Sequence, residues 1–265
     1  VIECKRLISA PGCDQVHRFA FETARRLGIK TVHCAHKANI MKLTDGLFLE
    51  RFRATAEDFT EIETGDVIVD ALCMKMVISP DAFEMIVLPN FQGDIVSDLA
   101  AGLVGGLGFA PSANIGDRIS IFEAVHGTAH DIAGKGIANP TSLLLSGLMM
   151  LRHIGLVKTA AVIENALLAA LEDGVCTGDF ASGRKPVGTA EFASAVIDRL
   201  GKSPSKTAPR QVPGSEELSV NPPERPHGHR LMRTFETLES HHCGCDIYID
   251  TTLPPAELAM KLQSI

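Results

Sequence analysis

"FEMIVLPNFQGDIVSDLAAGL", residues 83–103, changes its hydrophobic period in the middle. The first part, "FEMIVLPN", is an apolar and β-branched run closed by Pro89 and Asn90, the pattern of a buried strand. The second part reads as a helix, with Asp94 and Asp98 four apart on one face and apolar Ile95 and Val96 between them. Like charges at that spacing destabilise a helix by roughly 0.2–0.5 kcal/mol. A helix that opens straight from a buried strand puts the pair at the carboxyl edge of a sheet, where open α/β folds bind ligands. A divalent cation would offset the repulsion, and hard carboxylate oxygens favour Mg2+ or Mn2+. Asp70, an acid inside the apolar run "VIVDAL", is a third candidate ligand. The competing reading is a solvated helix face, the ordinary place for carboxylates.

Outward from this unit, strands and helices alternate, which implies an α/β layer structure. "DQVHRFAFETARRLG" has apolar Val16, Phe19, Ala20 and Ala24 at helical spacing and ends on Gly28 as a C-terminal cap. "IKTVHCAH" reads as a short strand, "NIMKLTDGLFLERFRATAEDF" as a second amphipathic helix, and "DVIVDALCMKMVI" as a strand running into a helix. After Pro111, "SANIGDRISIFEAVHGTAHDIAGKGIANP" reads as a long loop holding one strand. "NPTSLLLSGLMMLRHIG" predicts a largely buried helix with Asn139 as cap, Pro140 in the first turn and Gly155 at the exit. "VKTAAVIENALLAALEDG" and "TAEFASAVIDRLG" are further amphipathic helices. From Lys202 to about His242 the composition shifts to Pro, Ser, Glu, Arg and His, which is linker chemistry. A strand-like "CDIYID" and a helix-like "PPAELAMKLQSI" follow it.

The 265 residues are 45% hydrophobic, enough for one large core or two smaller ones. A net charge of −7 argues against a nucleic-acid partner and fits an enzyme that handles small ligands. No stretch reaches the roughly 18–20 apolar residues of a membrane span. Seven cysteines, odd in number and mostly single, fit free thiols in a reducing compartment, so the expected location is cytoplasmic. "VIECKRLISAPG" lacks the charged start and cleavage site of a signal peptide, and Val1 is not a methionine. "AELAMKLQSI" stops inside an amphipathic pattern without a cap. Truncation at both ends is therefore an expectation.

Other constellations carry weaker signals. In "CAHKANIMKLTDG", Lys37 and Lys42 enter a helix from the end of an apolar strand, where desolvation can turn a lysine into a base; the plainer reading is a surface lysine. "EAVHGTAHDIAGKGIANP" holds Glu123, His126, Gly127, Asp131, Gly134, Gly136 and Asn139. It is neither a dinucleotide fingerprint nor a phosphate loop, yet an Asp in a small-residue loop can accept hydrogen bonds from ribose hydroxyls. The alternative is a glycine-rich connector. "HHCGC", residues 241–245, lacks a second pair at finger spacing, so a strand start is preferred to a zinc site.

Taken together, "HKANIMKLTDGLF", "NFQGDIVSDLAAGLVGGLGFAPSANIG" and "FEAVHGTAHDIAGKGIANPTSLLLSGLMMLRH" resemble, in order and spacing, the β-decarboxylating dehydrogenase family of isocitrate and 3-isopropylmalate dehydrogenases. The resemblance runs from about residue 9 to 204. "SANIG", "FEAVHGTA" and "VGTAEFASAVIDRLGKSP" are similar to the isocitrate branch, and "CGCDIYIDTTLPPAELAMKL" to the start of an extra C-terminal domain in a long bacterial form. The resemblance implies that family's α/β fold without its N-terminal part: residues 1–204 as the carboxyl-terminal portion of the catalytic domain, 205–242 as linker and 243–265 as the start of a truncated small α/β module.

It also implies roles. Asp94 and Asp98 correspond to the family's metal-binding acids, and Asp70 to the acid that the neighbouring subunit of a homodimer adds to the same Mg2+ or Mn2+. Lys37 corresponds to the base lent across the dimer, with Asn39 beside the substrate. Glu123, His126, Gly127, Thr128, Ala129, Asp131, Ile132 and Asn139 fall on the cofactor-binding segment. The implied reaction is metal-assisted oxidation of isocitrate at C2 with hydride passing to a nicotinamide, then loss of carbon dioxide to give 2-oxoglutarate. NADP-specific relatives carry Lys-Tyr at Asp131-Ile132 and Tyr and Arg near Gly178 and Ser182; here a carboxylate would repel a 2′-phosphate, which predicts NAD. His130 stands where the family usually has proline. The family's proton-donating tyrosine and its substrate-binding serine and arginines lie upstream of Val1, and the single tyrosine here is Tyr248. The chain alone is thus expected to lack dehydrogenase activity. The alternatives are a related 2-hydroxy acid, 3-isopropylmalate or tartrate, or a non-catalytic regulatory subunit; retention of Lys37, Asp70, Asp94 and Asp98 argues against the last.

Overall fold

Local signals start and stop the first helix, α1 (Ala10–Leu27). Ser9 caps it, accepting from the Gly12 N–H at 3.3 Å, and Gly28 ends it at φ 71°, the left-handed region open to glycine. The computed structural model of the chain describes Ile2 and residues 4–116 and 118–210. α1 buries Cys13, His17, Ala20, Phe21 and Ala24. The expected stripe is thus half right: Ala20 and Ala24 face the core, but Val16 and Phe19 are 37% and 43% exposed, because the buried face takes in His17 instead.

Strand β1 (Thr31–His36) pairs in parallel with β2 (Glu63–Ile68) on one side and β3 (Met85–Val87) on the other, giving the order β2-β1-β3. Three helices follow these strands: α2 (Thr44–Ala56), α3 (Val69–Ile78) and α4 (Asn90–Leu103). Strand side chains alternate between faces, so β1 feeds two cores. Val32 and Cys34 pack with Phe21, Phe48, Phe52 and Phe59 of the α1–α2 side. Ala35 packs with Leu72, Met76 and Val96 of the α3–α4 side. The helix expected from Asn39 begins only at Thr44, since the Ile40 and Met41 N–H groups turn back to the Lys37 carbonyl.

The segment after Pro111 corrects an expectation. In place of one strand in a loop there is an antiparallel hairpin, β4 (Pro111–Ile115) with β5 (Ser120–Ala124), pairing Ala113 with Phe122. Gly116 closes the turn by donating to the Ile119 carbonyl at 3.1 Å, and a Cβ there would meet that same oxygen at 2.9 Å. The small, polar residues of β4 carry little strand propensity, so pairing with β5 decides the element.

α5 (Thr141–His153) lies on this hairpin through serines: Ser142 donates to the Ala110 carbonyl, and Ser146 donates to the Glu123 carbonyl at 2.8 Å. Pro140 is the flanking residue, not part of the first turn, and Asn139 accepts from the Thr141 N–H at 3.0 Å, the capping expected of it. α5 is buried on one face only; Leu143, Met150 and Ile154 are exposed on the described chain. α6 (Val157–Glu172) and α7 (Thr189–Ile197) close a third core around Ala166, Leu167, Ala170, Phe192 and Val196. Of the expected linker only 205–210 is described, and it is tied to α6: Glu172 accepts from the N–H groups of Ser205, Lys206 and Thr207 at 2.6, 3.0 and 2.6 Å. The rest of the linker, "HHCGC" and the C-terminal module lie outside the described residues. No helix among the described residues is long and apolar enough to cross a membrane.

Candidate functional site

Parallel strands bring their carboxyl ends to one edge, so the residues just past β1, β2 and β3 meet there. Lys37 follows β1, Asp70 is the second residue of α3 after β2, and only Leu88 and Pro89 separate β3 from α4. Lys37 Nζ forms an ion pair with Asp70 Oδ1. That hydrogen bond holds the Asp70 carboxyl below the usual carboxylate range. The lysine stem is half-buried and the carboxylate exposed, so the pair stands at the rim of the edge. Behind Lys37, the His36 ring takes the Ala38 N–H on Nδ1 at 3.1 Å and meets Asp66 through Nε2 at 3.3 Å. The Arg53 guanidinium bonded to Asp66 keeps that carboxyl low.

Asp94 and Asp98 sit on the first turns of α4, both exposed. Neither carboxylate has a hydrogen-bond or ion-pair partner among the described residues, while the Asp94 carbonyl accepts from Ser97 Oγ at 2.8 Å. No group of three or more acidic, His or Cys side chains converges as a metal cage among the described residues. The donor set of α4 fits a hard divalent cation as a partial site: two free carboxylates on one helix face, short of a full set of protein oxygens. Asp70 does not join them within one chain; it is engaged by Lys37. Asn39 is exposed in the turn that follows Lys37, and Lys42 lies in the next turn, before α2.

The second expected constellation is the loop from β5 to α5. Glu123, in β5, accepts from Asn114 Nδ2 at 2.8 Å. His126, Gly127, Thr128, Ala129 and Asp131 are all exposed, and Ile132 and Asn139 are half-buried. Ala129 holds φ 42°, a left-handed conformation rare outside glycine, and its carbonyl accepts from the Ile132 N–H at 3.1 Å. The far end of the loop is fastened. Gly136 accepts from the Thr189 N–H at 2.8 Å, the Ala138 carbonyl from Thr189 Oγ1 at 2.5 Å, and Asn139 donates to Asp179 at 3.0 Å. Asp179 belongs to a short turn, Gly178–Phe180, and Ser182 follows it at φ 45°. The Asn139 bond therefore brings the segment holding Gly178 and Ser182 to the end of the 126–139 loop.

Sequence reading missed two acids. Asp179 was legible only as a loop residue, since its tie to Asn139 spans 40 positions. Asp45, in the first turn of α2, is fully buried at 0% exposure and accepts from the Lys37 N–H at 2.7 Å. Its signal was present, an acid at a helix start directly after "NIMKLT", but nothing local marks it as buried.

A parallel sheet with acids and a lysine at its carboxyl edge is an α/β arrangement whose strand ends are the usual place for a ligand. The family model for isocitrate/isopropylmalate dehydrogenase matches residues 4–196, and the chain belongs to that family. It is 44% identical over its whole length to an isocitrate dehydrogenase [NADP] of Thermus thermophilus, covering 52% of that protein. It is 51% identical to the mitochondrial isocitrate dehydrogenase [NAD] subunit alpha of Macaca fascicularis, over 66% of this chain and 50% of that one. Among solved structures, isocitrate dehydrogenase from Methylococcus capsulatus superposes with a TM-score of 0.72 at 49% identity, covering 75% of this chain and 58% of that one. The chain thus spans about half the length of the curated relatives it matches.

Proposed function

We propose that this chain is the carboxyl-terminal part of a metal-dependent enzyme that oxidises isocitrate with NAD and releases carbon dioxide, giving 2-oxoglutarate. The observation that carries the reading is the carboxyl edge: a Lys37–Asp70 pair on two strand ends and two carboxylates without a partner among the described residues, Asp94 and Asp98, on the helix after the third. Membership in the family and the isocitrate dehydrogenases among the relatives support it.

Asp94 and Asp98 would hold Mg2+ or Mn2+ together with Asp70 of a second copy. A bound divalent cation supplies Lewis acidity at the C2 oxygen and its neighbouring carboxylate. In the partner copy's site Lys37, released from Asp70 when that carboxylate turns to the metal and neutral at Nζ, would take the proton of the C2 hydroxyl, and the backbone tie from Asp45 to the Lys37 N–H fixes where that amine starts from. Asn39, one turn on, lies within the same segment for a substrate contact. Asp94 would be one of the carboxylates that hold the cation, its charge offsetting that of the metal. Phe91 and Ile95, 70% and 52% exposed on α4, with Met74, Val77 and Ile78 exposed on α3, give the two copies an apolar surface to bury next to those acids.

A nicotinamide dinucleotide accepts the hydride from C2 when bound. Glu123, His126, Gly127, Thr128, Ala129, Asp131, Ile132 and Asn139 would line its site, with Asn139 pre-set by Asp179. The exposed carboxylate of Asp131 would disfavour a 2′-phosphate, which supports NAD. The name of the Thermus relative favours NADP instead. The free thiols Cys13, Cys34, Cys73 and Cys176 support a reducing, cytoplasmic setting.

The test is turnover of the full-length polypeptide with isocitrate, Mg2+ and each nucleotide. We expect reduction of NAD at a kcat/KM at least tenfold above NADP. A preference for NADP would overturn the cofactor assignment, and turnover of 3-isopropylmalate or tartrate with none of isocitrate would overturn the substrate.

A further inference from the structure

Asp45 is a buried carboxylate on which groups from separate parts of the fold converge. Its Oδ2 accepts from the Lys37 N–H at 2.7 Å and from Gln92 Nε2 at 2.9 Å. Its Oδ1 faces Arg6 Nη2 at 2.9 Å, an ionic contact without hydrogen-bond alignment, and Thr44 Oγ1 at 3.4 Å. A buried charge persists only when paired and hydrogen-bonded, and these donors meet that condition. Lys37 and Gln92 are far apart in the chain and belong to different functional elements. Lys37 is the first residue past β1, whereas Gln92 is the third residue of α4, two before Asp94. Gln92 is itself buried, and its Oε1 has no partner among the described residues. A buried amide that leaves its acceptor unpaired is costly, so the bond to Asp45 is what its polar end contributes there.

We infer that Asp45 is a positioning residue that locks the lysine turn to the acid-bearing helix. The inference rests on the function proposed above, in which Asp94 and Asp98 stay with their own protomer while Lys37 and Asp70 serve the partner copy. Asp45 then sets the half-site a protomer keeps in register with the half-site it lends. One carboxylate does this through two donors, and no other side chain among the described residues bonds both segments.

Amide hydrogen exchange on this chain, read by mass spectrometry on peptides covering residues 34–43 and 88–99, tests the lock. Asp45→Asn turns an all-acceptor group into one that presents an N–H to its donors. Exchange in both peptides is expected to rise by about tenfold or more, with α6 and α7 unchanged. Should Asp45→Asn unfold the chain, Gln92→Met keeps the buried volume and removes one donor, and it is expected to loosen 88–99 alone. Saturating Mg2+ is expected to slow exchange in both peptides of the unsubstituted chain, and in Gln92→Met to slow only 88–99. A merely structural role would not move that second difference.

Three results overturn the lock: Asp45→Asn exchanging like the unsubstituted chain, a uniform rise across every helix, or a Mg2+ response at 34–43 that survives Gln92→Met. Failure of the metal reading is separable. In that case Mg2+ changes nothing in the unsubstituted chain, and the exchange pattern of the two variants without metal decides the lock by itself.

Discussion

The carboxyl edge of the parallel sheet and the 126–139 loop are built in opposite ways. At the edge, Lys37 is held from behind by a buried carboxylate, from the side by Asp70, and through its neighbour His36 by an Asp66–Arg53 pair. The loop is exposed along 126–131 and fastened only toward its end, at Gly136, Ala138 and Asn139. Groups that act on a reacting atom gain from being fixed before substrate arrives, whereas a loop that wraps a ligand can be ordered by it.

The largest effect should come from breaking the edge. Asp45→Ala removes a buried acceptor from the Lys37 N–H, Gln92 and Arg6, and urea unfolding is expected to show a loss of about 3 kcal/mol or more. An unchanged midpoint would place the anchoring of Lys37 elsewhere.

Next is acid. His17 is fully buried with its ring 4.3 Å from that of Phe48 and 5.5 Å from that of Phe52, and neither ring nitrogen has a partner among the described residues. Burial pulls its pKa down to about 4, against the opposing charge of Asp14. The unfolded chain takes the proton first, near 6.5. Stability is therefore full above about pH 6.5, falls by up to roughly 3 kcal/mol as the pH drops to about 4, and changes no further from this group below that. His17→Leu is expected to flatten this part of the pH–stability curve. A variant that keeps the same slope would assign the acid response to another group.

A smaller effect is expected at the loop. Asn139→Ala removes the bonds to Asp179 and to the Thr141 N–H and should cost about 1 kcal/mol in stability. Isothermal titration of the full-length protein should show a larger loss in dinucleotide affinity than in metal affinity. Equal losses would mean that edge and loop are not independent. The smallest is Glu172→Gln. Burial disfavours the Glu172 charge, but the N–H groups of Ser205, Thr207 and Lys206 outweigh it and hold the carboxyl at about 2. Exchange over 203–210 should rise in the variant, with no change at 34–43. In the unsubstituted chain the same tie should hold above pH 4.5 and weaken as the pH falls toward 2.

How much of this was legible in the sequence follows the same division. The strand-to-helix change at Pro89–Asn90 is a change of period within a few residues, and α4 begins at Asn90. Gly28 as the exit of α1 is equally local. The hairpin is not, because Pro111–Ile115 becomes a strand only by pairing with Ser120–Ala124. His17 escaped because hydropathy ranks it with exposed residues, and only the Phe48 and Phe52 rings around it make its site apolar. α5 is apolar on both faces and so reads as buried, but the described chain covers one face, and the chain is about half as long as its relatives. Of the candidate site, positions 37, 70, 94 and 98 are nominated by spacing and resemblance, and the structure pairs Lys37 with Asp70 and puts Asp94 and Asp98 on α4. Asp45 and Asp179 were not, since each acts across a distance that no local pattern encodes.

In the proposed function α4 carries half of a metal site. Calorimetric titration of the chain with Mn2+, beside Asp94→Asn, tests it most directly. The expected result is saturable binding that Asp94→Asn weakens by at least tenfold without altering the unfolding midpoint of the metal-free chain. Equal binding by both proteins would contradict it.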